Sequence, residues 1–172
     1  MPRPPTDPEF TELVHGCWSS LYRTAYLLVG DHGLAEDLVQ SSLARTYASW
    51  AKVRDVAAAP AYARATLVNT ASSQFRKKSW RRELPTESLA EPPAEAADPS
   101  LRPTLLAALG QLAPRQRAVI VLRFYEDQSV AETARILGCS EGTVKSQTSD
   151  ALGVLRTHLG DSVVPSTLGR SS

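Results

Sequence analysis

The chain has 172 residues, 42% of them hydrophobic, and a formal net charge of +1. That is room for one or two small cored domains, with no apolar run of membrane-spanning length and no overall charge excess. Cys17 and Cys139 stand far apart, His15, His32 and His158 are scattered, and there is no glycine-rich phosphate loop or convincing nucleophile–base arrangement. The expectation is therefore a non-enzymatic chain with no metal and no cofactor, its cysteines acting as small buried hydrophobes. Met1–Pro8 is too polar for a signal peptide, which points to a reducing, cytoplasmic location.

Nearly every patterned stretch has helical period. Phe10, Leu13, Val14, Cys17, Leu21, Ala25 and Leu28 form the first stripe, and Gly30 ends it. A second helix is expected from about Leu34 to Trp50, with Leu34, Leu38, Leu43, Tyr47 and Trp50 turned inward. Pro60 opens a third, long helix to about Trp80, with Ala65, Val68, Ser72 and Phe75 on one face. Three such helices can enclose a core.

The charge pattern then changes abruptly. From Ala61 to Arg82 there is no acidic residue, while Arg64, Arg76, Lys77, Lys78, Arg81 and Arg82 are present; from Glu83 to Asp98 there is no Lys or Arg, while Glu83, Glu87, Glu91, Glu95 and Asp98 are. Such blocks suggest separate surfaces for separate partners. In the basic helix, Tyr62, Phe75 and Trp80 interleave with the cations, and Asn69 offers a base-edge hydrogen bond. This mixture suits opened or single-stranded DNA, although a basic helix end is also common as plain solvated surface. Pro85, Pro92, Pro93, Pro99 and Pro103 break the next segment into an acidic linker.

Helices resume at Thr104 with Leu105, Leu106, Leu109 and Leu112, and Pro114 begins another that runs on through Ala118 to Tyr125. The most specific signal follows, from Ser129 to Leu155. Ser129 with Glu132 reads as a capping box, Gly138 fits the left-handed residue that ends a helix, and Ser140 can cap the next one. Val144, Thr148, Ala151, Leu152 and Leu155 make that helix's inner stripe. Its outer face carries Glu141, Gly142, Thr143, Lys145, Ser146 and Ser149. Two short helices around a glycine turn, the second small and polar outside, are the layout of a helix-turn-helix that reads the major groove. Past Gly160 the tail, residues 161–172, is expected to be disordered.

Taken together, the two halves resemble an RNA polymerase sigma factor of the sigma-70 family, of the extracytoplasmic-function (ECF) type. The carrying residues are AEDLVQ (Ala35–Gln40) with Tyr47 and Trp50, then Tyr62, Asn69 and the basic run to Arg82. They continue with LAPRQR (Leu112–Arg117), LRFYED (Leu122–Asp127) and Ser129–Leu155. RTAYLLVGD (Arg23–Asp31) and TVKSQTS (Thr143–Ser149) look most like the actinobacterial subgroup named after Streptomyces sigma E.

The resemblance implies an all-α fold of two small helical domains joined by a Pro-rich acidic linker. Residues 8–83 would form sigma region 2, residues 84–103 a flexible linker, and residues 104–160 a region 4 helix-turn-helix. Glu36, Asp37, Leu38 and Gln40 would meet the clamp helices of the polymerase β′ subunit. Tyr62, Arg64, Asn69, Phe75, Arg76, Lys77, Lys78, Trp80, Arg81 and Arg82 would bind the −10 element. Ser140, Glu141, Gly142, Thr143, Lys145, Ser146 and Ser149 would read the −35 element, with Arg115 and Arg117 near the DNA backbone or the β flap. Arg123 would touch the backbone or lie on the surface. The implied partners are core RNA polymerase, promoter DNA and an anti-sigma factor, with no membrane. Asp150 is a departure: similar sequences carry Arg there.

About 20 linker residues reach roughly 65 Å at full extension, close to the about 70 Å of two DNA turns. The rival reading is a stand-alone helix-turn-helix regulator, whose first half would be a dimerisation or sensing domain.

Overall fold

The computed structural model describes residues 3–81 and 103–160, and all described regular structure is helical. The chain divides into two units, Met1–Arg82 and Glu83–Ser172. The expected linker and tail lie outside the described residues.

In the first unit, α1 (Asp7–Val29), α2 (His32–Ala48) and α3 (Ala59–Arg81) pack on one another in all three pairings. Two short 3-10 turns, Trp50–Lys52 and Val56–Ala58, lead from α2 into α3. Helix α1 starts because Glu9 reaches back to Thr6: its carboxylate accepts the Thr6 N–H at 2.7 Å and the Thr6 hydroxyl at 2.9 Å. It stops at Gly30, whose φ of 72° is the left-handed conformation that glycine adopts without a Cβ penalty. Asp31 then caps α2, accepting the Leu34 N–H at 2.8 Å.

The core holds Leu21, Leu28, Leu38, Val39, Leu67 and Val68, all buried. Each such side chain contributes about 1.5–3 kcal/mol relative to exposure. Buried hydroxyls fit among them because each donates to the carbonyl one turn back: Thr24 to Ser20, Ser42 to Leu38, Thr46 to Ser42 and Thr70 to Thr66, at 2.6–3.1 Å. At the far end, Phe10, Tyr47 and Trp50 cluster, and the Trp50 indole N–H donates to the Thr6 carbonyl at 2.9 Å.

The expected inward stripe of α2 needs correction. Leu34 is 43% exposed and Tyr47 48%. The buried stripe is instead Ala35, Leu38, Val39, Ser42, Leu43 and Thr46. Small and hydroxylated residues let α2 approach its neighbours closely, so large size alone misassigned the face.

The second unit is built from α4 (Pro103–Gly110), α5 (Pro114–Ile120), α6 (Val130–Leu137) and α7 (Glu141–Leu159). Its inner cluster joins Val119, Ala134 and Val144, with Val130, Leu137 and Cys139 packed against it. Helix α5 continues as a π-helical turn, Val121–Tyr125, in which the Glu126 N–H bonds to the Val121 carbonyl at 2.9 Å. The wider turn keeps Val121 and Leu122 buried and leaves Phe124 and Tyr125 exposed.

A candidate polymerase and promoter interface

On α2, Glu36, Asp37 and Gln40 are exposed and share a face with Gly33, Ala44 and Tyr47. Leu38 lies inside the protein with no exposed surface. Its expected role as a polymerase contact is therefore corrected: it anchors the helix to the core beneath that face. Sequence reading missed the exposure of Tyr47. Its hydroxyl donates to the Asp7 carboxylate at 3.0 Å, and that carboxylate's hydrogen bond and charge push the phenol above its ordinary range.

On α3 the buried side is Ala59, Ala63, Leu67, Thr70 and Ala71. Opposite it, Tyr62, Asn69 and Arg76 are all exposed. They recur every seven residues and so fall in one row, about 10 Å apart at 1.5 Å per residue. Lys77 is exposed beside its end. The row sets an aromatic ring, an amide and a guanidinium in line on one surface. Arg64 and Phe75, expected with them, lie on the opposite edge and are half-buried. The Cys17 thiol is pushed up by burial and partly held back by the Arg64 charge. The side chains of Lys78, Trp80 and Arg81, and all of Arg82, lie outside the described residues.

In the second unit, Ser129 caps α6 by accepting the Glu132 N–H at 3.0 Å. The reciprocal half of the expected capping box is absent. The Glu132 carboxylate instead pairs with Arg135, one turn on, through bonds of 2.9 and 2.5 Å, and that pairing lowers its pKa. Gly138 closes α6 with φ 66°, and Ser140 opens α7 by accepting the Thr143 N–H at 3.1 Å. The Ser140 and Thr143 hydroxyls also bond to each other at 2.9 Å. These two hydroxyls are thus spent mainly on the helix start.

Glu141, Gly142, Lys145, Ser146 and Ser149 are exposed. Lys145, Ser146 and Ser149 have no side-chain partner among the described residues, so they face outward with free donors. Asp150 is exposed on the same side, one turn beyond Ser146.

Two arginines end up elsewhere than expected. Arg117 is buried in the second unit, not displayed near a DNA backbone. Arg123 donates to the Gln128 carbonyl at 2.7 Å and ties down the turn into α6, where Asp127 takes a left-handed φ of 52°. Among the described residues no cluster of His, Cys, Asp or Glu could hold a metal ion. Nor is any described helix long and apolar enough to cross a membrane.

Comparison with known proteins agrees with this layout. Residues 13–81 match the family described as Sigma-70 region 2, and residues 103–154 match Sigma-70, region 4. An RNA polymerase sigma-E factor of Streptomyces coelicolor is 43% identical over 153 residues, spanning 88% of this chain and 86% of the relative. The RNA polymerase sigma factor SigV of Bacillus subtilis is 31% identical, spanning 80% of this chain and 83% of that protein. Among solved structures, the sigma factor RpoE of Bartonella quintana, crystallised with the anti-sigma factor NepR, is 30% identical with a TM-score of 0.70. That match covers 87% of this chain and 96% of that one.

Proposed function

The chain belongs to the sigma-70 family as an ECF-type, sigma-E-like sigma factor that directs RNA polymerase to promoters and is not an enzyme, and from that premise we propose how its surfaces divide the work. Region 2 spans residues 8–83 and region 4 spans residues 104–160. The exposed face of α2, with Glu36, Asp37 and Gln40, docks on the β′ clamp helices. A coiled coil offers rows of basic and polar side chains that match two carboxylates and an amide.

The Tyr62–Asn69–Arg76 row receives the −10 element. The ring stacks on an unpaired base, Asn69 bonds a base edge, and Arg76 and Lys77 track the strand. Lys78, Trp80, Arg81 and Arg82 extend that track. Contacts to displaced bases offset an unstacking cost of a few kcal/mol per base. Outward residues of α7, led by Gly142, Lys145, Ser146 and Ser149, enter the major groove of the −35 element. The protein works in the cytoplasm, where polymerase is. An anti-sigma factor is a further partner, as one is for the Bartonella relative.

The observation that carries this reading is the row on α3. A helix-turn-helix alone would suit a repressor as well, but a repressor has no use for an exposed aromatic–amide–guanidinium row on a different unit. The test is run-off transcription with core polymerase, with transcript starts mapped. Promoter-specific transcripts that weaken in Asn69→Ala are the expected result. Their absence with the wild-type chain sinks the division of labour given above.

A further inference from the structure

The joint between α1 and α2 contains a pair of side chains that the promoter and polymerase contacts do not use. Only Gly30 and Asp31 separate the two helices. His32, the first residue of α2, folds its ring back onto α1. Its Nδ1 shares a hydrogen bond with the Tyr22 hydroxyl. The ring stacks on Tyr26 with centroids 4.3 Å apart and planes 18° apart, and more loosely on Tyr22 at 6.0 Å. Tyr22 is buried, and the second ring nitrogen of His32, Nε2, is buried with no hydrogen-bond partner.

An unpaired buried nitrogen is destabilising, so an apolar ring would fill this space at lower cost. What histidine adds over a phenylalanine is direction. The bond to Tyr22 fixes how the ring is rotated, and the ring fixes how the first turn of α2 leaves the joint. The next turn carries Glu36 and Asp37. Burial and then the Glu36 charge push the Tyr22 phenol upward, so that carboxylate lies within electrostatic reach of the joint.

We propose that Tyr22 and His32 are positioning residues for polymerase binding: their hydrogen bond sets the orientation in which α2 presents Glu36, Asp37 and Gln40. The proposal rests on the docking role given to α2 above. It is tested by measuring the affinity of the full chain for core RNA polymerase, at a temperature where circular dichroism shows every variant folded. The variants are Tyr22→Phe, His32→Phe and the double substitution, each with its Tm.

Tyr22→Phe leaves both ring nitrogens of His32 unpaired and should lower Tm, whereas His32→Phe leaves the Tyr22 hydroxyl unpaired but removes the unpaired Nε2, so its Tm should fall less. Each single change should weaken core binding about 3- to 10-fold, a difference of about 0.7–1.4 kcal/mol. The double variant leaves no unpaired polar group in the joint, so its Tm should reach or pass that of wild type while its affinity stays low. Affinity that recovers together with Tm, or single variants that bind like wild type, would overturn the proposal. Failure of the wild-type chain to bind core polymerase is a separate result that needs no variant, and it would remove the docking role itself and the proposal with it.

Discussion

Thr133 breaks the rule that its neighbours in the protein follow. Thr24, Ser42, Thr46 and Thr70 all donate to a carbonyl one turn back, but the Thr133 hydroxyl is buried without a partner. A hydroxyl in that state costs about 1–3 kcal/mol. Thr133→Val keeps the shape and removes the unpaired atom, so urea unfolding should show the second unit gaining about 1–2 kcal/mol. Asp150 is a different kind of anomaly: a carboxylate with no partner among the described residues, on the outer side of α7. If that side meets DNA, Asp150→Arg tightens promoter binding by the polymerase complex a few-fold and steepens its log–log salt slope by about 0.9. An unchanged affinity in a salt-controlled gel shift would place Asp150 away from the phosphates. Residue types at this scale were legible in the sequence, but their exposure was less so. The helical period put Leu38 on the inner stripe while the resemblance put it at the polymerase, and its burial keeps only the first of the two.

Helix ends were the most legible elements. Gly30, Ser129, Gly138 and Ser140 each act as the sequence suggests, because a cap is decided by residues within one turn of it. The start of α1 has a measurable pH signature. The Thr6 backbone N–H, then the Thr6 hydroxyl, and more weakly Arg3 hold the Glu9 carboxyl below its ordinary range. With the folded value below the unfolded one, the cap's contribution is complete above about pH 4.3 and is lost as pH falls through the lower folded value. Thermal melts of wild type and Glu9→Gln should therefore differ at pH 7 and converge once the pH falls below the lowered folded value. Equal curves at pH 7 would show that the cap does not bear on stability. What local sequence could not reveal was competition between elements' own side chains. Glu132 has two acceptable partners, the Ser129 N–H and Arg135, and the charged one wins because a two-bond guanidinium–carboxylate pair is stronger than one neutral donor. The π-helical turn of Val121–Tyr125 was likewise invisible, since its apolar run fits an ordinary helix equally well.

Charge is uneven along the sequence: a run of cations from Arg76 to Arg82 falls at the end of α3, whereas the outward face of α7 carries Glu141, Lys145 and Asp150. Phosphate binding by the polymerase complex should therefore depend more on α3. Arg76→Ala and Lys77→Ala are each expected to reduce the salt slope of promoter binding by about 0.7, the value for a single-strand phosphate contact. Filter binding over a salt series measures it, and an unchanged slope in both variants would detach α3 from the DNA. The amino-acid order was enough to give an all-helical chain, the helix-turn-helix with its caps, the basic and acidic blocks, and the family. Those properties depend on period, composition and contacts within a turn. Three-dimensional packing alone decided which face of α2 is free, that Tyr62, Asn69 and Arg76 stand clear while Arg64 is half-buried, that Arg117 is interior, and that His32 reaches back to Tyr22. Each of these is set by packing between one helix and another, where the close approach of neighbouring helices, not the size or charge of a single side chain, determines what is covered.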